Sequence, residues 1–185
     1  MKDEYLILVN RAHRMYGKPD DLMSVSDAYP DIMLRRAARQ ALQERLQAAG
    51  CGCQIVPVSG YRSQKEQEEI YESSLAENGP EFTEKYVALP GCSEHQPGLA
   101  IDLALKQARI DFIRPHFPYD GICGVLRALA SAYGFVERYP AGKEAITGIA
   151  HEPWHFRYVG CPHAGIMSAQ NMTLEEYVEY RHGSI

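Results

Sequence analysis

No apolar run in this chain approaches the roughly 18 residues that a membrane-spanning helix requires, so no span is expected. Basic charge is also scarce: 19 lysines and arginines stand against 24 aspartates and glutamates, a net charge of -5. A nucleic-acid surface needs a basic patch, so nucleic acid is not the expected partner. No secretory leader is visible. The chain starts Met1-Lys2-Asp3-Glu4-Tyr5, and Leu6-Ile7-Leu8-Val9 is too short for a signal core. Cysteine numbers five, an odd count that does not make a disulfide framework. These absences together predict a cytoplasmic, reducing location. No internal repeat, low-complexity tract or composition shift marks a second domain. What remains is 185 residues, 45% of them hydrophobic, which suffices for one domain over 1–185 with its own core.

The order of elements follows from periodicity and breakers. Leu6-Ile7-Leu8-Val9 reads as a short strand, and residues 17–30, rich in Asp, Ser, Pro and Gly, as loop. Leu34, Ala38, Ala41, Leu42 and Leu46 recur at helical spacing and predict a helix over 31–49, stopped by Gly50 and Gly52. Ile55-Val56-Pro57-Val58 predicts a strand whose proline calls for an edge or a bulge. Ser63 with Glu66 is a capping box, opening a helix that runs to Asn78-Gly79 with a short second helix at 81–86. Residues 98–105 read as a strand alternating about Asp102, 119–133 as helix, and 135–139 and 154–159 as strands. Thr173 with Glu176 caps a terminal helix. Helices and strands are segregated rather than strictly alternating. The expected class is α+β, with a small, largely antiparallel sheet flanked by helices.

Two segments carry chemistry. Ser93-Glu94-His95-Gln96-Pro97-Gly98-Leu99-Ala100-Ile101-Asp102 is answered by His151-Glu152-Pro153-Trp154-His155. His95, Asp102 and His155 supply two imidazoles and a carboxylate. Glu152 supplies a free carboxylate three residues before the last of them. These are the parts of a hydrolytic zinc site: three protein ligands, an open position for water, and a base for its proton. Each residue also has a plainer reading. Asp102 can point outward from an exposed strand, and His155 can be an ordinary strand histidine. His151 is a rival ligand, facing the opposite side of an extended chain from Glu152, because Pro153 disfavours a helix there. Cys51-Gly52-Cys53 lacks the second thiol pair of a zinc site. Arg62, after Ser59-Gly60-Tyr61 at a strand end, either holds a substrate carboxylate or oxyanion or lies on the surface. Ser93 hydrogen-bonds substrate or caps its own loop.

The blocks Ser59-Gly60-Tyr61-Arg62-Ser63, Tyr86-Val87-Ala88-Leu89-Pro90-Gly91, the His95–Asp102 segment quoted above, and Glu152-Pro153-Trp154-His155-Phe156-Arg157-Tyr158-Val159-Gly160 resemble the zinc D-alanyl-D-alanine carboxypeptidase family. Within it they are similar to the Van-type bifunctional D,D-dipeptidase/D,D-carboxypeptidases of vancomycin resistance. The resemblance implies one zinc held by His95, Asp102 and His155, with Glu152 as catalytic base. It implies that Arg62 faces the scissile carbonyl and that Ser93 and Gln67 line the substrate pocket. Its substrate would be the D-Ala-D-Ala dipeptide or a D-Ala-terminated muramyl peptide. It gives no position for the acidic residue with which dipeptidase-only relatives grip the substrate amine; Asp111 and Asp120 are the carboxylates nearby in sequence. Rival readings are an L,D-carboxypeptidase or wall endopeptidase on the same fold, a zinc-binding module without catalysis, and a cysteine hydrolase using Cys92.

Overall fold

A computed structural model describes residues 3–183; Met1 and Lys2, read above for a leader, lie outside them. Strands β1 (Leu22–Ser26) and β2 (Tyr29–Arg35) form an antiparallel hairpin that leads directly into helix α1 (Arg36–Ala48). Then come β3 (Ile55–Ser59), α2 (Gln64–Tyr86), β4 (Ala100–Leu105), α3 (Gly121–Ala128), β5 (Phe135–Glu137), α4 (Glu144–Thr147), β6 (His155–Tyr158), α5 (His163–Ala169) and α6 (Leu174–Arg181). The second sheet runs β3-β4-β6-β5, every neighbouring pair antiparallel. This is the α+β arrangement that the pattern of segments implies.

The register of this sheet positions the site. Asp102 on β4 pairs with His155 on β6 and, across a bulge, with Ser59 on β3. Cross-strand partners project from the same face, so Asp102 and His155 stand side by side. Along β4 the side chains alternate. Ile101 and Leu103 enter the main core with Leu34, Ala38, Leu42, Phe135 and Phe156. Ala100 and Ala104 flank Asp102 on the opposite face and leave it room. Both faces are buried, so the plainer reading of Asp102 as an outward-facing residue on an exposed strand is excluded: Asp102 is 4% exposed.

Several expectations met the structure unchanged. Pro57 lies on edge strand β3, beside a register shift between Pro57 and Ser59. The capping boxes at Ser63 and Thr173 are both formed. α2 is interrupted at Gly79, where φ is 78°. Others were displaced. Residues 22–35 form a hairpin rather than loop and helix. Leu34 satisfies the helical spacing with Ala38, but alternation along β2 delivers it to the same core, so the helix begins only at Arg36. Leu6-Ile7-Leu8-Val9 is not a strand. Its chain is held instead by the Arg157 guanidinium, which donates to the carbonyls of Tyr5 (3.0 Å) and Ile7 (2.7 Å). The helix over 119–133 is shorter, ending at Ala128 before a 3₁₀ turn, Ser131–Tyr133.

The hairpin touches the sheet at Gly60. A Cβ there would stand 2.4 Å from the Met33 carbonyl oxygen and 3.0 Å from Ile32 Cγ2. The neighbouring Tyr61 N–H donates to that same carbonyl at 2.7 Å. Gly60→Ala is therefore expected to destabilise the fold by about 1–3 kcal/mol through overpacking. Urea unfolding should show a lowered midpoint; an unchanged midpoint would contradict this close approach.

Candidate active site

Loop, strand and strand converge on one point. His95 comes from the loop before β4, Asp102 from β4 and His155 from β6. Their donor atoms lie within 4.8 Å of one another, and all three side chains are buried. His155 Nδ1 is 2.8 Å from Asp102 Oδ1, and His95 Nε2 is 3.2 Å from Asp102 Oδ2. Tetrahedral zinc with bonds near 2.0–2.1 Å sets its ligand atoms about 3.3 Å apart, so the spacing fits.

The protons point the same way. His95 Nδ1 donates to the Gly60 carbonyl at 2.7 Å, which leaves Nε2 facing the Asp102 carboxylate. Nε2 meets that oxygen either as a second N–H, making the ring a cation, or with a cation between them. Burial, and then the Arg62 charge, resist the first by pulling the His95 pKa down to about 4. Asp102 behaves oppositely. Burial would raise it, but the imidazoles of His95 and His155 hold it far below the ordinary carboxylate range. A fixed anion flanked by two imidazoles is a donor set suited to a divalent ion.

Glu152 stands beside this set, its Oε2 3.7 Å from His155 Nδ1. An irregular turn brings it there: its N–H donates to the Tyr139 carbonyl at 3.0 Å, and its own carbonyl accepts from His155 N–H at 3.2 Å. Burial, then the Asp102 charge, push its carboxyl well above the ordinary range, against the pull of Arg62 and Arg138. Arg62 is no surface residue. Its Nε donates to Ser59 Oγ (2.9 Å), Nη2 to Asp102 Oδ2 (3.2 Å) and Nη1 to Gln67 Oε1 (3.4 Å). Gln67 is fully buried and spends its amide N–H on the Ala88 carbonyl, so it reaches the site through Arg62 rather than lining the pocket. Ser93 lines the pocket and caps its own loop, accepting from the His95 N–H at 3.3 Å.

The remaining candidates lie elsewhere. His151 stacks on Tyr119 and shares a 2.6 Å hydrogen bond with its hydroxyl, away from Asp102. Cys51 is buried, Cys53 exposed, and neither belongs to a metal cluster among the described residues. Asp111 accepts the N–H groups of Ile113 and Arg114, both at 2.9 Å, and Asp120 precedes α3.

Sequence reading missed two features. Tyr139 packs its ring 5.0 Å from that of His155 and lines the pocket. Behind the pocket lies a chain of buried charges. Glu94 bonds Arg157 and, at 3.0 Å, Arg138; Arg138 in turn grips Glu175 with contacts of 2.8 and 2.6 Å. Arg138 and Tyr139 read only as strand residues, and Glu94 was overshadowed by its neighbour His95. A buried carboxylate between two arginines has no signature in spacing.

An ionised carboxylate, a pair of imidazoles and a second carboxylate beside them, set on a small antiparallel sheet, are the parts of a hydrolytic metal site. Comparison with known proteins narrows this to a family. Residues 31–161 match the family model "VanY: D-alanyl-D-alanine carboxypeptidase", and the chain belongs to that family. The bifunctional D-Ala-D-Ala dipeptidase and D-Ala-D-Ala carboxypeptidase VanXYC of Enterococcus gallinarum is 44% identical, over 95% of this chain and 94% of its own length. The vancomycin resistance D,D-dipeptidase VanXYg, solved with a D-Ala-D-Ala phosphinate analogue, superposes with a TM-score of 0.94 at 51% identity, over 95% of this chain and 70% of that one. The D,D-pentapeptidase VanY of a VanB-type cassette, an E175A mutant solved with Zn(II), gives a TM-score of 0.76 at 31% identity, over 94% of this chain and 98% of that one.

Removing the Glu94 carboxylate would leave two buried guanidinium groups without their shared partner. Glu94→Ala is expected to lose about 3–5 kcal/mol of unfolding free energy, the cost of breaking a buried ion pair from one side. Urea titration measures it. A loss below about 1 kcal/mol, the scale of an exposed pair, would mean that Glu94 does not neutralise this cluster.

Proposed function

We propose that this chain hydrolyses the D-Ala-D-Ala dipeptide and removes the terminal D-Ala from D-Ala-terminated muramyl peptides, using one zinc ion, as part of resistance to vancomycin. One observation carries the reading: Asp102, His155 and His95 share a single point, with Glu152 alongside. The family and the D-Ala-D-Ala chemistry named for its relatives supply the substrate class. The same reading treats residues 1–185 as one peptidase domain. Its location is cytoplasmic, which agrees with five free cysteines and, among the described residues, no helix long and apolar enough to cross a membrane.

His95 Nε2, the Asp102 carboxylate and His155 Nδ1 would hold the zinc. Bound there, it supplies Lewis acidity and lowers the pKa of a coordinated water towards about 7. Glu152 then takes a proton from the attacking water and returns it to the leaving D-Ala amine. An amine departs neutral, whereas an amide anion is too basic to leave, so this proton is essential. A carboxyl pushed up by burial suits a group that must both accept and donate. Arg62 faces the scissile carbonyl and stabilises the negative charge that grows on its oxygen. Its guanidinium has five N–H donors, and Ser59, Gln67 and Asp102 engage one on each nitrogen, leaving two for a substrate oxygen. Gln67 and Ser59 thereby fix its angle. Ser93 offers its hydroxyl to the bound peptide.

The test is D-Ala release from D-Ala-D-Ala and from a muramyl pentapeptide, with and without chelator, in wild type and in Glu152→Ala. Wild type should lose activity on chelation. Glu152→Ala should keep its zinc yet lose about 10²–10⁴-fold in kcat. Full activity after exhaustive chelation, or near-normal turnover in Glu152→Ala, would overturn the mechanism.

A further inference from the structure

Beyond the metal, the segment that follows β4 carries an arginine with no evident structural duty. Arg114 takes part in no side-chain hydrogen bond and no ion pair among the described residues. Yet it is firmly placed. Its backbone N–H donates to Asp111 Oδ1 at 2.9 Å, and Pro115 follows it with a fixed φ. Its guanidinium carbon lies 5.3 Å from the Phe82 ring centre and 5.6 Å from that of Tyr86, within range of the attraction between a cation and an aromatic face. An exposed arginine ordinarily spreads over many rotamers; this one, although exposed, lies against two rings.

Its position explains why that matters. It stands between two cavities that each share lining residues with the catalytic pocket. The catalytic pocket, about 40 Å³, is walled in part by Tyr86, Phe112 and Trp154. A cavity of about 690 Å³ continues from it past Arg62 and Phe112, and another of about 470 Å³ past Tyr86 and Trp154. Arg114 lines both of the larger ones. The acidic side chains along the first of these, Asp31, Glu66, Glu69, Glu77 and Asp111, make no ion pair with it; Asp111 accepts its backbone N–H instead. A positioned guanidinium that no carboxylate of the protein neutralises is a ready fork for a carboxylate of a ligand.

We propose that Arg114 is a specificity-determining residue for the longer substrates, binding a free carboxylate that the peptide carries upstream of its D-Ala-D-Ala end. This rests on the peptidase reading above. The dipeptide has no such group, so Arg114 contributes nothing to its hydrolysis. In a pentapeptide with a γ-linked D-Glu, the α-carboxylate left free by that linkage is the matching group. Each extended residue spans roughly 3.3–3.6 Å, so a carboxylate on the third residue upstream of the scissile bond falls in an adjoining cavity rather than in the catalytic pocket. Such binding is made equally in ground and transition states, so it acts on KM.

The experiment compares wild type, Arg114→Ala and Arg109→Ala on three substrates. These are D-Ala-D-Ala, the pentapeptide L-Ala-γ-D-Glu-L-Lys-D-Ala-D-Ala, and the same pentapeptide with the D-Glu α-carboxylate amidated. Arg109 is exposed on the same segment and controls for general charge. Wild type should favour the carboxylate pentapeptide over its amide by about ten-fold in kcat/KM, through KM, the scale of one charge-assisted hydrogen bond. Arg114→Ala should erase that preference and leave the dipeptide within about two-fold of wild type, while Arg109→Ala keeps the preference. Equal loss on all three substrates, an undiminished preference in Arg114→Ala, or no turnover of either pentapeptide would overturn the inference while leaving dipeptide hydrolysis standing. Release of D-Ala from none of the three by zinc-loaded wild type would remove the peptidase reading and this inference with it.

Discussion

The buried carboxylate of Asp102 is the constraint from which the site is built. An ionised group in an apolar strand is costly unless something of opposite sign meets it. Here the cost is met from three directions: His155 across the sheet, His95 from the preceding loop and the Arg62 guanidinium from the end of β3. Each of these depends on backbone geometry. The β4–β6 register sets His155 opposite Asp102, and the bulge after Pro57 sets Ser59, and so Arg62, within reach. His95 is turned by its bond to the Gly60 carbonyl, at the place where only a glycine allows the hairpin to approach. A small sheet of four strands thus aims several functional groups at one point.

A second tier holds the first. Glu94, next to His95, is clamped between Arg157 of β6 and Arg138 after β5, and Arg138 is clamped in turn by Glu175 of α6. Arg157 also gathers in the N-terminal segment through the carbonyls of Tyr5 and Ile7. The loop carrying Ser93 and His95 is therefore tied to the far ends of the chain by buried, satisfied charges. Such networks specify one arrangement where apolar packing alone tolerates several. Rigidity of this kind suits the roles proposed for Glu152 and Arg62, which meet charge as it develops without reorganising first.

Much of this was legible in the amino-acid sequence, for definable reasons. Capping boxes are local, so Ser63 and Thr173 announced their helices. Pro57 announced an edge and a bulge because it cannot donate to a ladder. His95, Asp102 and His155, whose donor atoms converge, and their neighbour Glu152 stood out by residue type in two segments, and the family resemblance chose them over His151. The hairpin of β1 and β2 was hidden because Leu34 and Ala38 fit a helical period as well as a strand followed by a helix. The Leu6–Val9 stretch looked like a strand because it is apolar, but its partner is a side chain rather than a ladder. Tyr139, and the quartet of Glu94, Arg138, Arg157 and Glu175, depend on contacts between residues far apart in the chain, which no local pattern encodes.

The central claim, that a buried anion and two imidazoles form a metal site with no other protein donor, is open to a direct measurement. X-ray absorption at the zinc edge, on wild type loaded with one equivalent, reads the donor atoms themselves. The account predicts two imidazole nitrogens and one carboxylate oxygen at about 2.0–2.2 Å, with one oxygen from solvent and no sulfur. In Asp102→Ala the carboxylate contribution should vanish and affinity fall. A sulfur shell near about 2.3 Å, or an Asp102→Ala spectrum and affinity indistinguishable from wild type, would contradict it.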